Sequence, residues 1–418
     1  MSTIVITELK ERGLPAGVSM AALTFVLAAL SWIGPFSIDT YLPSLPHISE
    51  SLKASAVQVQ QTMTVFIFSF AVMSLWHGAI SDAYGRRRIT LIALSLYSLA
   101  SVGCALSGTV HTLMVFRAIQ GATAGVGAVV GRAVVRDLFE GAAAQRLMSY
   151  VATIFTIAPV MAPIVGGYLQ VHFGWRSIFY FLVILSAFLV LCCWRWLPET
   201  LPRKQRQQLQ PVFLAHSYWK VLTNPPFLMA CGSISLVGAG LFIYIVGAPT
   251  FLMRHLKLGE TEFLWLFLPI AVGMVIGAWF SGRCAGKITG GQTVFVGYVI
   301  MAIAAVGNVL LNVWMPPMIP WTLVPIFFYV MGMAMAMPSL TLICLDVFPM
   351  QRGLTSSCLN FINLGFNSLV SAFVALVWGS TLSFAVTGLV MLVAGVVTIL
   401  LYMRSTRHFE PAEAAATN

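Results

Sequence analysis

Twelve runs of about 20 mostly apolar residues account for most of this chain. They lie near 18–41, 58–79, 89–108, 112–135, 147–170, 177–197, 225–248, 262–282, 293–313, 320–343, 355–378 and 383–403. At 1.5 Å per residue, about 20 apolar residues are what a helix needs to cross the hydrocarbon core of a bilayer. A soluble fold has no use for so many such runs. Only 9 % of the residues are charged, against about 25 % where a surface must face water. The fold class expected is therefore an all-α membrane protein with twelve transmembrane helices.

The basic residues orient those helices. With the N-terminus placed in the cytoplasm, 18 of the 23 Lys and Arg fall on the cytoplasmic side, among them Lys10, Arg12, Arg86, Arg87, Arg88, Arg132, Arg136, Arg203, Lys204 and Arg206. Lys53, Arg176, Arg254 and Lys257 fall outside, and Arg117 lies within a span. This asymmetry follows the positive-inside rule and puts both termini in the cytoplasm. It also explains the net charge of +10 without a nucleic acid, for which no zinc-finger, RRM or basic-zipper pattern exists. The first apolar run is too long for a signal-peptide core and is expected to remain as a helix.

Seven cysteines fall mostly inside apolar runs and form no C-x-x-C pair, so they read as small packing residues. Seven scattered histidines lack metal-ligand spacing. No metal and no cofactor is expected.

A polar stretch over 198–220 divides the chain, and Ser217-Tyr218-Trp219-Lys220 within it suits a short interfacial helix. The loop Gly78-Ala-Ile-Ser-Asp82-Ala-Tyr-Gly85-Arg86-Arg87 has a weak echo 199 residues on, Gly277-Ala-Trp-Phe-Ser-Gly282-Arg283-Cys-Ala-Gly286-Lys287. The expected organisation is two pseudo-symmetric six-helix bundles, 1–197 and 221–418, joined by a cytoplasmic linker over 198–220.

Ionisable groups inside a bilayer are costly and mark function by default. Asp39 lies toward the outer end of span 1 and Arg117 in the outer half of span 4. A carboxyl group whose surroundings alternate between dry and charged can take up and release a proton. Asp39 suits that role and could also attract a cationic substrate; the other placement is at the outer interface, where it would be a simple helix end. Arg117 keeps its own proton but could bias a carboxylate, bind substrate, or merely hold backbone carbonyls.

Ser356, Asn360, Asn363, Asn367 and Ser371 share one face of span 11, turned to a wet cavity or to another helix. In the loop after span 2, Gly78, Asp82, Gly85, Arg86 and Arg87 have the makings of a latch between helices. Pro159, Ala162, Pro163, Gly166 and Gly167 would weaken span 5. They predict a bend or a close seam between the halves.

These segments together resemble the major facilitator superfamily, and within it the twelve-span drug/proton antiporters of the Bcr/CflA type. Gly78-x-Ile80-Ser81-Asp82-x-x-Gly85-Arg86-Arg87 is similar to the family's loop 2–3 motif, with Ala83 where Arg is usual. Met114-x-x-Arg117-x-x-Gln120-Gly121 resembles the span 4 motif of proton coupling. Ala162-Pro163-x-x-Gly166-Gly167 resembles the span 5 antiporter motif, with Ala162 in place of the first Gly. Ile38-Asp39-Thr40-Tyr41-Leu42-Pro43 is similar to the signature that ends span 1, and Pro198-Glu199-Thr200 closes span 6 as in that group.

The resemblance implies alternating access and the export of small, often amphipathic drugs across the bacterial inner membrane, driven by protons. It implies Asp39 and Arg117 as coupling residues. Candidate cavity residues are Asp39, Tyr41, Gln120, Asn360, Asn363 and Asn367. The expected partners are a drug-like small molecule, protons and the lipid bilayer, with the chain as a monomer. A metabolite transporter of the same fold is the alternative. An enzyme is not expected, because H-E-x-x-H, a partnered G-x-S-x-G and an intramembrane carboxylate pair are all absent from the sequence.

Overall fold

The structure, a computed structural model, describes residues 19–139, 141–206 and 209–407. The polar N-terminal segment with Lys10 and Arg12, the tail beyond 407 and residues 207–208 of the expected linker lie outside the described residues.

Among the described residues, the membrane helices are α1 (Met20–Asp39), α2 (Ala56–Tyr84), α3 (Arg86–Ala105), α4 (Val110–Ala124 continued by Val126–Leu138) and α5 (Gly141–Phe155 continued by Ala158–Phe173). They continue as α6 (Arg176–Trp196), α7 (Pro225–Val246), α8 (Leu264–Cys284), α9 (Gly290–Trp314), α10 (Val324–Asp346), α11 (Arg352–Phe373) and α12 (Thr381–Arg407). The described residues form no strand.

Eleven of these helical runs are long and apolar enough to cross a membrane unaided. The exception is α5, whose pieces of 15 and 16 residues are each too short. The disturbance expected in span 5 takes the form of a break between the two pieces. The cause is local: Pro159 has no N–H to continue the ladder. The Ile154 carbonyl beside the break accepts from the Ile157 N–H at 3.3 Å and from Trp32 Nε1 of α1 at 3.0 Å. Span 1 is also longer than expected. After Asp39 the chain keeps helical turns through Leu42–Ser44 and Leu45–Ser51.

Two compact units divide between Gln210 and Pro211. In the first, α2 runs along α4, α3 along α4 and α6, and α1 packs on α4, α5 and α6. In the second, α8 runs along α10, α9 along α10 and α12, and α7 packs on α10, α11 and α12. The same pairings recur six helices later, so the faint sequence repeat has a structural counterpart. Gly78 faces Val129 of α4, and Gly277 lies against the Met331 carbonyl of α10. The helix Pro211–Leu222 holds the residues expected at the interface, with Tyr218 and Val221 buried and Trp219 exposed.

Apolar side chains such as Leu99, Ile184, Phe295 and Ile303 are exposed along the helices. Water would penalise that surface, but lipid accepts it. Trp194, Trp265, Trp279 and Trp314 are exposed near helix ends, as an aromatic belt requires. The seven cysteines are free thiols.

Glycines set the closest approaches. A Cβ on Gly166 of α5 would collide with the Thr40 carbonyl of the α1 end. The close seam made by this glycine is therefore with α1 of its own unit. Gly166→Val is expected to cost about 3 kcal/mol, because backbone cannot yield as a side chain can. The check is the melting temperature of the purified protein. Gly307→Val, at a position with open space around it, should leave that temperature unchanged.

Candidate functional site

Gly121 brings α4 against α2, since a Cβ there would overlap the Phe66 carbonyl. One turn earlier on α4, Arg117 has no exposed surface. Its Nη1 donates to the Ser37 carbonyl at 3.1 Å and to Gln120 Oε1 at 3.0 Å. Its Nη2 lies 3.4 Å from Met63 Sδ. The guanidinium carbon sits 4.2 Å from the Phe66 ring centre and 4.6 Å from that of Tyr41. Desolvated cation–π contacts of this kind contribute about 2 kcal/mol each. Nε has no partner, and no carboxylate pairs with the group among the described residues.

The holders of Arg117 are themselves held. Gln120 Nε2 donates to Ser101 Oγ at 2.7 Å, Tyr41 Oη and Thr62 Oγ1 lie 2.8 Å apart, and Ser37 Oγ meets the Tyr97 hydroxyl. Four helices, α1 to α4, thus close one polar network around a cation.

Asp39 is the last residue of α1 and only 6 % exposed. Among the described residues it forms no ion pair and no hydrogen bond through its side chain. Arg117 nevertheless grips the same turn on both sides, through the Ser37 carbonyl and the Tyr41 ring. The cation thus reaches across from α4 to the backbone that carries the acid, and the two side chains do not pair. The second piece of α5 supports this turn. Ala162, Pro163, Gly166 and Gly167 are buried, Gly166 abuts Thr40, and Ser44 Oγ donates to Gln170 Oε1 at 2.7 Å. Segments from spans 1, 4 and 5 therefore converge on one place.

A second cluster sits at the other end of α2. Gly85 adopts φ +102°, a conformation that only glycine takes without strain, and this turns the chain straight into α3. Arg86 then pairs with Asp82, donates through Nη1 to Ser81 Oγ at 2.7 Å and reaches Asp137 Oδ2 of α4 at 3.2 Å. The Arg86 backbone N–H donates to Glu199 Oε1 at 2.9 Å, and Thr200 Oγ1 donates to Asp137 Oδ2 at 2.7 Å. Arg87 reaches the Trp194 carbonyl of α6, and Arg206 pairs with Glu199 at 3.6 Å. This cluster joins α2, α3, α4 and the end of α6 within one unit.

Residues 20–366 match the family model described as Major Facilitator Superfamily. This chain belongs to the major facilitator superfamily. Its superfamily relatives include an uncharacterized MFS-type transporter of Bacillus subtilis, 31 % identical over 87 % of this chain and 90 % of that protein. Multidrug resistance protein D of Escherichia coli is 28 % identical over 84 % of this chain and 87 % of its own. A bicyclomycin resistance protein homolog of Haemophilus influenzae is 27 % identical over 63 % and 66 %. The fold resembles the crystal structure of a D-xylose–proton symporter, with TM-score 0.69, 15 % identity and coverage of 90 % and 97 %. It also resembles a bacterial homolog of the lysosomal transporter Spinster, with TM-score 0.70, 16 % identity and coverage of 98 % and 99 %. The protein is a multi-pass membrane transporter.

Several site residues of this major facilitator chain are out of reach of sequence reasoning. Asp137, Thr62, Tyr97 and Ser101 carry no signal, because each is an ordinary residue whose partner is chosen by helix rotation. Glu199, Thr200 and Arg206 are visible as a polar span 6 ending, but not as partners of Arg86 and Asp137. Tyr41 and Gln120 have no exposed surface and hold Arg117. Asn360, Asn363 and Asn367 belong to the second unit, half-buried on α11. Asn363 faces Gly238 of α7, and Asn367 Oδ1 is buried without a partner.

Arg86→Ala is expected to lower stability by about 2 kcal/mol, reduced from the full cost of breaking a buried pair because Asp82 is partly exposed. Thermal unfolding of the purified protein checks this. Arg86→Lys should recover less than half, since one ammonium cannot serve Ser81, Asp82 and Asp137 together.

Proposed function

We propose that this transporter exports small amphipathic drugs across the bacterial inner membrane in exchange for protons, by alternating access, with both termini in the cytoplasm. The observation that carries the reading is the meeting of two unpaired ionisable groups at one turn of α1: Asp39 on that turn without a counter-ion, and Arg117 of α4 bonded to its backbone without a carboxylate. Intramembrane charges left unpaired are retained for transport rather than for stability. The resistance names of the relatives support a drug as the cargo.

In this scheme Asp39 takes its proton from outside as drug departs and gives it up toward the cytoplasm when drug binds. Arg117 does not titrate. It senses the exchange through Ser37 and Tyr41, which flank the acid, and passes it to α4. Asn360, Asn363 and Asn367 supply neutral hydrogen-bonding groups for the cargo. The Arg86 cluster holds one conformation. The chain acts as a monomer.

The test is proton flux in proteoliposomes against a panel of cationic, neutral and zwitterionic drugs, with sugars, amino acids and a siderophore alongside. Flux driven by the drugs supports the reading. Flux driven by the metabolites alone favours the alternative to which the asparagine face of α11 would also be suited.

A further inference from the structure

One buried titratable side chain takes no part in the network around Arg117. His77 of α2 is 3 % exposed, and its Nε2 lies 3.0 Å from the Ala122 carbonyl of α4. A carbonyl oxygen only accepts, so Nε2 carries the hydrogen, and in the neutral ring Nδ1 is left as a bare acceptor. Nδ1 has no partner. It faces Gly125, where a Cβ would come within 3.2 Å of it.

Gly125 is where α4 is interrupted. On one side of that break α4 carries Arg117 and Gln120; on the other it carries Asp137, an acid of the Arg86 cluster. His77 thus holds the joint between two functional clusters.

The break in α5 supplies a contrast. There the carbonyl is met by Trp32 Nε1, a group that can only donate. A donor is all that a structural plug requires. The histidine at the α4 break adds a second nitrogen, Nδ1, that can take a proton once the joint opens to water. Among the described residues no ion pair involves the ring. The ionisable groups nearest along the two helices are Asp82, bound to Arg86, and Arg117 and Arg132, each about two turns from Gly125.

We propose that His77 is a proton-sensitive pin of the α4 joint. The neutral ring clamps the Ala122 carbonyl and tolerates a dry site. Protonation at Nδ1 creates a charged N–H that faces Gly125 with no acceptor, a costly state when buried. The packed joint then gives way to one that water can enter. This deepens the transport reading, because α4 is the helix that carries both Arg117 and Asp137.

The experiment is amide hydrogen exchange of the α4 segment around Gly125, with the full chain in lipid nanodiscs without drug, at about pH 8 and about pH 5.5 and corrected for intrinsic rates. Wild-type protection is expected to fall about tenfold at the lower pH. His77→Gln keeps an N–H of similar reach but cannot titrate, and should stay protected at both values. His77→Phe should lose protection at both. Equal wild-type protection at the two values, or a His77→Gln protein that follows wild type, would overturn the assignment. Should His77→Phe fail to fold, the Gln variant decides alone. A second readout is the pH profile of drug transport, whose acidic limb should be missing in His77→Gln. The exchange measurement needs no cargo, so failure of the drug-transport reading leaves a distinct result.

Discussion

Asp39→Asn is expected to bind drug, fold normally and accumulate none of it in energised inverted vesicles. Asn matches Asp in shape but has no proton to exchange. The side chain makes no ion pair or hydrogen bond that the change would break among the described residues, so its effect on stability should stay within about 1 kcal/mol. The effect on transport is set by the lost driving force. One charge crossing 100 mV is worth about 2.3 kcal/mol, an accumulation ratio of about fiftyfold for a neutral drug. In the Asn protein that ratio should fall to one, while equilibrium binding in detergent should persist at the weaker affinity of wild type at acidic pH, since Asn resembles the protonated acid. Full accumulation by the mutant would remove Asp39 from the mechanism.

Arg117→Met is expected to abolish coupled transport with a melting temperature equal to or above that of wild type. A buried guanidinium without a carboxylate bears a desolvation penalty of several kcal/mol. Against it stand two hydrogen bonds, the Met63 sulfur and two aromatic faces, together of similar size. Methionine fills an irregular apolar space well, and Gln120 can turn its amide to the Ser37 carbonyl. Arg117→Lys should be the least stable of the three, because an ammonium can neither stack nor reach both acceptors. A fall of more than about 10 °C in Arg117→Met would make Arg117 a structural keystone instead.

Much of this architecture is legible from hydropathy, since a bilayer imposes one length on every span. The places where helices stop being regular are not. Gly125 stands in the run Gly121-Ala-Thr-Ala-Gly125-Val-Gly127, and composition alone does not say which glycine interrupts α4. Gly121 and Gly127 instead meet the Phe66 and Leu30 carbonyls. In α5 the prolines announce a disturbance, and the break falls at 156–157, just before Pro159, but the sequence does not show that Trp32 of α1 donates to the Ile154 carbonyl beside it. Asp39 and Arg117 stand out in the sequence as rare charges. Their meeting at one turn of α1 does not, because it depends on α1 continuing past Asp39 and on Gly121 and Gly166 letting α4 and α5 come close. His77 reads as one of seven scattered histidines until its ring is placed at the joint of α4.

Proton release on drug binding tests the exchange at Asp39 most directly. The purified protein, in weakly buffered detergent with a pH dye, receives a saturating drug identified in the flux screen. Wild type should release close to one proton per chain, and Asp39→Asn should release none while still binding. Equal release from both proteins, or none from wild type at saturating drug, would contradict Asp39 as the group at which proton and drug are exchanged.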